Sequence, residues 1–127
     1  MMHVLIVLIF CLLSCLCGAA SAQVEKKHAA IVIGNGAYLH ADKLANSVLD
    51  SQAVRNALIK IGFSESEIIY GENLNKRELE RAIGRFALLA KDADVAITYY
   101  AGHGSTFSEI PYLVPIDANF TALEEMP

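Results

Sequence analysis

Short apolar runs that alternate with stretches of helical periodicity constrain the fold of this 127-residue chain more than any other feature. The apolar runs occupy residues 28–38, 66–72, 94–101 and 111–118. Apolar residues recur every three or four positions over 46–63 and 75–91, which is the spacing of one helix face. Strands that alternate with helices through short connections form right-handed crossovers in a parallel sheet. The sequence therefore predicts an α/β fold of three layers, with helices on both faces of a mainly parallel sheet.

The ends of the two predicted helices carry local signals. Ser47 is expected to cap the first helix, and Gly62 is expected to end it. Asn75 and Glu78 have the spacing of a capping box at the start of the second helix. The run 94–101 is apolar along its length, so we expect a strand that is covered on both faces.

The first 22 residues have the composition of a secretory signal peptide. Residues 4–17 are almost entirely apolar, and Ala20-Ser21-Ala22 is a cleavage site of the A-x-A type. We expect cleavage after Ala22, one domain over 23–127, and a secreted or periplasmic location. Because the first three residues carry no Lys or Arg, two alternatives stay open. The segment could remain as a membrane anchor, the chain's one contact with a membrane, or it could be a lipoprotein signal at Cys15.

The cysteines and the charge balance exclude several classes of protein. Cys11, Cys15 and Cys17 all lie in the apolar leader, so residues 23–127 can form neither a disulfide nor a thiolate zinc site. The formal net charge is −4 and no basic stripe is present, so a nucleic-acid partner is not expected. No cofactor and no metal ion is predicted.

Three features follow the predicted strands at their carboxyl ends, where open α/β sheets place their functional sites. Gly34-Asn35-Gly36 is either a phosphate-binding turn or, as we favour, a tight turn that needs positive φ. His103 lies between two glycines, where a general base would have access to a nucleophile, and the N–H of Gly104 could face an oxyanion. Asp117 either binds the loops of the site or, as we favour, caps the next helix.

Several motifs occur in a fixed order and cover about residues 28–119. They are AIVIGNGAY, LANSVLDSQAVRNALIKIGF, DVAITYYAGHG and YLVPIDA. This order resembles the caspase-like cysteine peptidases, and it is most similar to the bacterial caspase and metacaspase branch. The resemblance implies that His103 pairs with a cysteine, that the N–H of Gly104 binds the oxyanion, and that the substrate is a polypeptide. Caspases in this family cleave after Asp, and metacaspases cleave after Arg or Lys.

The sequence departs from the family pattern at the nucleophile. In the family, the cysteine ends the next strand, beyond the helix that follows residue 118, whereas this sequence stops at Pro127. We therefore expect the incomplete N-terminal portion of a catalytic domain, truncated before the nucleophile strand and inactive alone, whose partners are the missing C-terminal part and a polypeptide substrate. Ser105 and Ser108 are weak substitutes for the cysteine. The alternatives are a non-catalytic secreted binding or decoy module, or an unrelated doubly wound domain that binds a small ligand.

The leader makes a testable prediction. If it is a signal peptide, mass spectrometry of the exported protein will find a chain that begins at Gln23, because the A-x-A site precedes that residue. An exported or membrane-embedded species that retains Met1 would contradict this prediction.

Overall fold

A computed structural model of the protein describes residues 26–119. The expected leader with its cleavage site, and the start of the helix expected after residue 119, lie outside the described residues. Among the helices that the structure describes, none combines the length and the apolar character needed to cross a membrane.

The described chain forms a parallel sheet, two helices and a separate hairpin. In chain order the elements are β1 (His28–Gly34), α1 (Ser47–Lys60), a 3₁₀ turn (Glu65–Glu67), β2 (Ile68–Glu72), α2 (Lys76–Ala90), β3 (Val95–Ala101), β4 (Gly104–Phe107) and β5 (Ile110–Leu113). The three-stranded sheet has the order β2-β1-β3, and β1 is parallel to both neighbours. This arrangement confirms the predicted α/β fold with a parallel sheet flanked by helices.

β1 lies at the centre of the core, because α1 covers one of its faces and α2 covers the other. Alternate residues of a strand point to opposite sides, so Ala30 and Val32 pack with Leu58 of α1 in one apolar cluster. Ile31 and Ile33 pack with Leu79 of α2 in a second cluster on the other face. β1 is accordingly apolar and buried from Ala29 to Ile33, as expected of a central parallel strand.

The strand predicted over 111–118 is wrong in its extent and in its partner. β5 ends at Leu113 and pairs antiparallel with β4, so it forms a hairpin and adds no strand to the parallel sheet. The turn at His103 leads the chain directly from β3 into β4, and Pro115, which has no N–H, follows the end of β5.

β3 also differs from its prediction. Val95, Ala96 and Thr98 are exposed, and β1 is its one paired neighbour in the part of the chain that the structure describes. Its apolar composition predicted that both faces would be covered, but β3 is an edge strand of the described sheet and is partly exposed.

Two of the three helix-end signals agree with the structure. The Asn75 side chain accepts from the N–H of Glu78, whose carboxylate accepts from the N–H of Asn75, so the capping box is confirmed. Gly62, with φ of 112°, follows the end of α1 as predicted. The Ser47 cap is wrong, because Asn46 occupies the N-cap position and makes no side-chain cap bond.

The glycines after β1 are required by close approach and not by positive φ. Gly62 is the positive-φ glycine within 26–119, so the conformation predicted for Gly34 and Gly36 is wrong. A Cβ on Gly34 would overlap the Ser51 hydroxyl and lie 2.5 Å from the Ser47 carbonyl oxygen. The first turns of α1 can therefore pack directly on the end of β1 because that residue has no side chain.

Substitution by alanine should have opposite effects on stability at Gly34 and at Gly84. Gly34→Ala will lower the free energy of unfolding by about 1–3 kcal/mol, since the helix must move away from the strand. Gly84→Ala, in α2 with open space around it, will raise that free energy by about 1 kcal/mol through helix propensity. Urea denaturation of both variants measures the effects, and a stabilised Gly34→Ala would contradict the packing.

Candidate active site

The turn between β3 and β4 places His103 at the carboxyl end of the sheet. The N–H of Asn35, directly after β1, donates to the carbonyl of Ala101 at 2.8 Å and ties the ends of the two strands together. The loop that follows β1 returns to the same end, where the carbonyl of Asp42 meets the His103 ring. The turn after β1 and the His103 turn therefore lie at the same end of the sheet.

The imidazole of His103 has a defined orientation. Its Nε2 lies 2.8 Å from the carbonyl oxygen of Asp42. Because a peptide carbonyl only accepts hydrogen bonds, Nε2 must carry the hydrogen, and in the neutral ring Nδ1 is then the nitrogen with a free lone pair. The Tyr38 ring packs beside the imidazole, with the ring centroids 4.5 Å apart and the planes tilted by 52°.

Two tyrosine hydroxyls bind the backbone of His103. The N–H of His103 donates to the Tyr38 hydroxyl at 2.7 Å, and the His103 carbonyl lies 3.1 Å from the Tyr100 hydroxyl. The two hydroxyl oxygens are 3.1 Å apart. Burial, together with the Tyr38 hydroxyl, raises the pKa of Tyr100 well above its usual range, so this hydroxyl stays neutral.

Sequence reasoning missed Tyr38, Tyr100 and the Asp42 carbonyl. A signal for the tyrosines was available, because a buried tyrosine hydroxyl needs a hydrogen-bond partner and both residues lie in segments that read as apolar. No sequence signal existed for Asp42, whose backbone oxygen makes the contact and whose side chain is irrelevant to it.

The glycines on either side of His103 have different roles. A Cβ on Gly102 would lie 2.5 Å from the Tyr100 hydroxyl and 2.6 Å from the Tyr38 hydroxyl. A Cβ on Gly104 would meet its nearest atom, the Tyr112 carbonyl oxygen, at 3.8 Å. Gly102 is therefore required by the tyrosine pair, whereas Gly104 has room for a side chain.

The backbone N–H of Gly104 points away from the hairpin. Gly104 pairs with Leu113, and the N–H of Val114 binds the carbonyl of His103. In an antiparallel ladder this makes Gly104 and Leu113 a non-hydrogen-bonded pair, whose N–H groups face outward. The hairpin therefore does not use the N–H that was predicted to bind an oxyanion, and its role stays a prediction.

Gly34-Asn35-Gly36 has a structural role. The buried Asn35 side chain accepts from the N–H of Leu74 at 2.8 Å, and its amide nitrogen lies 3.3 Å from the Leu74 and Val114 carbonyl oxygens. The N–H groups of Gly36 and Ala37 both donate to the Asn73 side chain at 2.9 Å. The N–H groups that would bind a phosphate already have an acceptor.

The remaining candidates are Asp117, Ser105 and Ser108. Asp117 was expected to cap the helix that follows it in sequence. Its Oδ1 instead accepts from the N–H of Lys76, the first residue of α2, at 2.9 Å. Ser105 and Ser108 make no hydrogen bond to the His103 ring within 26–119, and Ser108 lies in the hairpin turn with φ of 47°. The described residues also include no cluster of His, Cys, Asp and Glu that could hold a metal ion.

Comparison with known proteins decides the family. Residues 27–126 match the caspase-domain family of peptidases. The chain belongs to the caspase family. It is 30% identical over 93 residues to human mucosa-associated lymphoid tissue lymphoma translocation protein 1, over 73% of this chain and 11% of that protein. The mouse homologue matches over the same shares. The chain thus spans about a tenth of these relatives, and the bacterial branch remains a prediction.

The two glycines of the caspase-family turn provide a matched test. Gly102→Ala will lower the free energy of unfolding by about 1–3 kcal/mol, because the new Cβ displaces both tyrosine hydroxyls. Gly104→Ala will change it by less than about 0.5 kcal/mol. Urea unfolding measures both, and equal losses would show that the turn needs glycine at both positions for conformational reasons.

Proposed function

We propose that this chain carries the histidine half of a caspase-type cysteine endopeptidase site, with His103 as the general base and the N–H of Gly104 as an oxyanion donor. The observation that carries the proposal is the contact between Nε2 of His103 and the Asp42 carbonyl. This contact leaves Nδ1 as the proton acceptor, and the flanking glycines keep side chains away from it. Family membership supplies the reaction class, peptide-bond hydrolysis through a thiolate.

The nucleophile of this proposal comes from a strand that pairs with β3. The sequence has no cysteine within the family match, 27–126. β3 offers an unpaired edge within the described residues, and parallel strands end at the same edge of a sheet. A cysteine at the carboxyl end of a strand added there would lie beside His103, so the partner is the C-terminal part of the domain.

The chemistry follows from these positions. Nδ1 of His103 takes the thiol proton, and the thiolate attacks the substrate carbonyl carbon. The carbonyl oxygen becomes an oxyanion that the Gly104 N–H stabilises. When the C–N bond breaks, the imidazolium gives its proton to the leaving amine and a thioester remains. His103 then takes a proton from water, whose oxygen displaces the thiolate.

The bacterial caspase and metacaspase branch belongs to this proposal, supported by the order of the motifs from residue 30 to residue 118. A secreted or periplasmic location also belongs to it, supported by the apolar leader. The second candidate function is a non-catalytic secreted binding or decoy module with the caspase fold. The absence of cysteine from 27–126 favours that candidate for the 127-residue chain acting alone.

Peptide hydrolysis separates the two functions. The 127-residue chain alone should not cleave fluorogenic peptides that end in Arg, Lys or Asp, because it lacks the thiolate. In a polypeptide that continues the domain with a strand ending in cysteine, His103→Ala should lower kcat/KM by about 10²–10⁴-fold with little change in thermal unfolding. The same peptides report the preference at the cleaved bond.

The matched control is His40→Ala, since His40 is exposed and lies in the same loop as Asp42. It should keep full activity, whereas His28 is a poorer control because its ring stacks on Phe63. Turnover by the 127-residue chain that disappears in His103→Ala would show another nucleophile. Full activity of His103→Ala in the extended polypeptide would reject His103 as the base.

A further inference from the structure

Tyr38 and Tyr100 make contacts that exceed the needs of packing. Both hydroxyls converge beneath the turn that carries His103 and bind its backbone on both sides. We propose that Tyr38 and Tyr100 are positioning residues, whose paired hydroxyls hold His103 so that its ring faces the Asp42 carbonyl. The proposal rests on the proposed function for its catalytic meaning, whereas the geometry that it claims can be tested without catalysis.

The hydroxyls of Tyr38 and Tyr100 can each donate only one hydrogen bond. Each hydroxyl has one hydrogen, and the Tyr38 oxygen also accepts the N–H of His103. The Tyr38 hydrogen can bind the Val114 carbonyl at 3.2 Å, and the single Tyr100 hydrogen can bind either that carbonyl at 2.8 Å or the His103 carbonyl at 3.1 Å. The pair thereby connects the His103 backbone to Val114, directly after β5.

The two hydroxyls lie in closely packed surroundings. Tyr38 is 2% exposed and Val114 is 3% exposed, and Gly102 lies so close to the two hydroxyls that a Cβ there would overlap both. If the Tyr38 hydroxyl is removed, the N–H of His103 loses its acceptor beside a side chain that is almost fully buried. A buried donor without an acceptor is costly, so the turn must shift to find another acceptor.

The two tyrosines are not equivalent. Tyr38 touches His103 twice, through the backbone N–H and through the ring contact at 4.5 Å. Tyr100 contacts only the His103 carbonyl, which also accepts the N–H of Val114 at 3.1 Å. Loss of the Tyr38 hydroxyl should therefore release the imidazole from Asp42, and loss of the Tyr100 hydroxyl should do so to a smaller degree.

Hydrogen exchange in the 127-residue chain tests this order. Proton NMR with ¹⁵N-labelled histidine follows the His103 amide and the Nε2–H, which His103→Gln identifies among the chain's four histidines. In Tyr38→Phe, both protons should exchange about tenfold faster than in the wild type, as expected for a lost hydrogen bond. Tyr100→Phe should accelerate them about threefold.

Two controls separate positioning from stability. Tyr99→Phe removes a hydroxyl from the neighbouring residue, whose ring packs against the other face of the sheet, and should leave both protons unchanged. The amide of Val32 in the core, followed in uniformly ¹⁵N-labelled protein, reports global opening, so equal acceleration there would overturn the proposal. Unchanged exchange at His103 in Tyr38→Phe would also overturn it.

Tyr100→Phe keeps the proposal falsifiable if Tyr38→Phe does not fold. In that case, unchanged exchange at His103 in Tyr100→Phe would overturn the proposal. Failure of the proposed function has a separate signature, which is full peptidase activity of His103→Ala in the extended polypeptide while the exchange results hold.

Discussion

The carbonyl oxygen of Val114 lies within hydrogen-bond distance of three side chains that come from different parts of the chain. The Asn35 amide approaches it at 3.3 Å, the Tyr38 hydroxyl at 3.2 Å and the Tyr100 hydroxyl at 2.8 Å. Asn35 follows β1, Tyr38 lies in the next loop and Tyr100 lies in β3. One carbonyl group therefore connects these three segments at the carboxyl end of the sheet. Together with the bond from the Asn35 N–H to the Ala101 carbonyl, it ties the hairpin and the His103 turn to the end of β1.

This polar cluster is stable because its members satisfy one another. Among residues 26–119, no buried side-chain nitrogen or oxygen lacks a hydrogen-bond partner. In a low-dielectric interior, a fully satisfied network rigidifies its surroundings, whereas a partly satisfied one is costly. The cluster therefore fixes the backbone of the turn, and the imidazole that the turn carries remains partly exposed for chemistry.

Local signals made much of this fold predictable from the sequence. The strand at 28–34, the capping box at Asn75 and the glycine at the end of α1 depend on neighbouring residues alone, and all three were predicted. The end of the fourth strand could not be predicted, because an apolar run does not reveal whether it pairs with a parallel sheet or, as here, with the strand directly before it, β4.

The candidate site was predictable to a smaller degree for the same reason. His103 was recognised from its glycine frame, but its partners Tyr38 and the Asp42 carbonyl are more than 60 residues away in sequence. Close approach at Gly34 likewise depends on where α1 packs, so the sequence suggested a turn conformation in place of a contact. Tertiary contacts of this kind leave no local pattern.

The β4–β5 hairpin, which borders the site, is held less firmly than the parallel sheet. Phe107, Ile110, Tyr112 and Leu113 are each about half exposed, so little apolar area anchors the hairpin, and an isolated two-stranded ribbon is marginal in water. Local opening should therefore begin at its tip and travel toward Val114, while β1 remains closed until global unfolding. His103 lies between the β4–β5 hairpin, which opens easily, and the parallel sheet, which stays closed. A small displacement of the hairpin therefore changes access to the His103 ring.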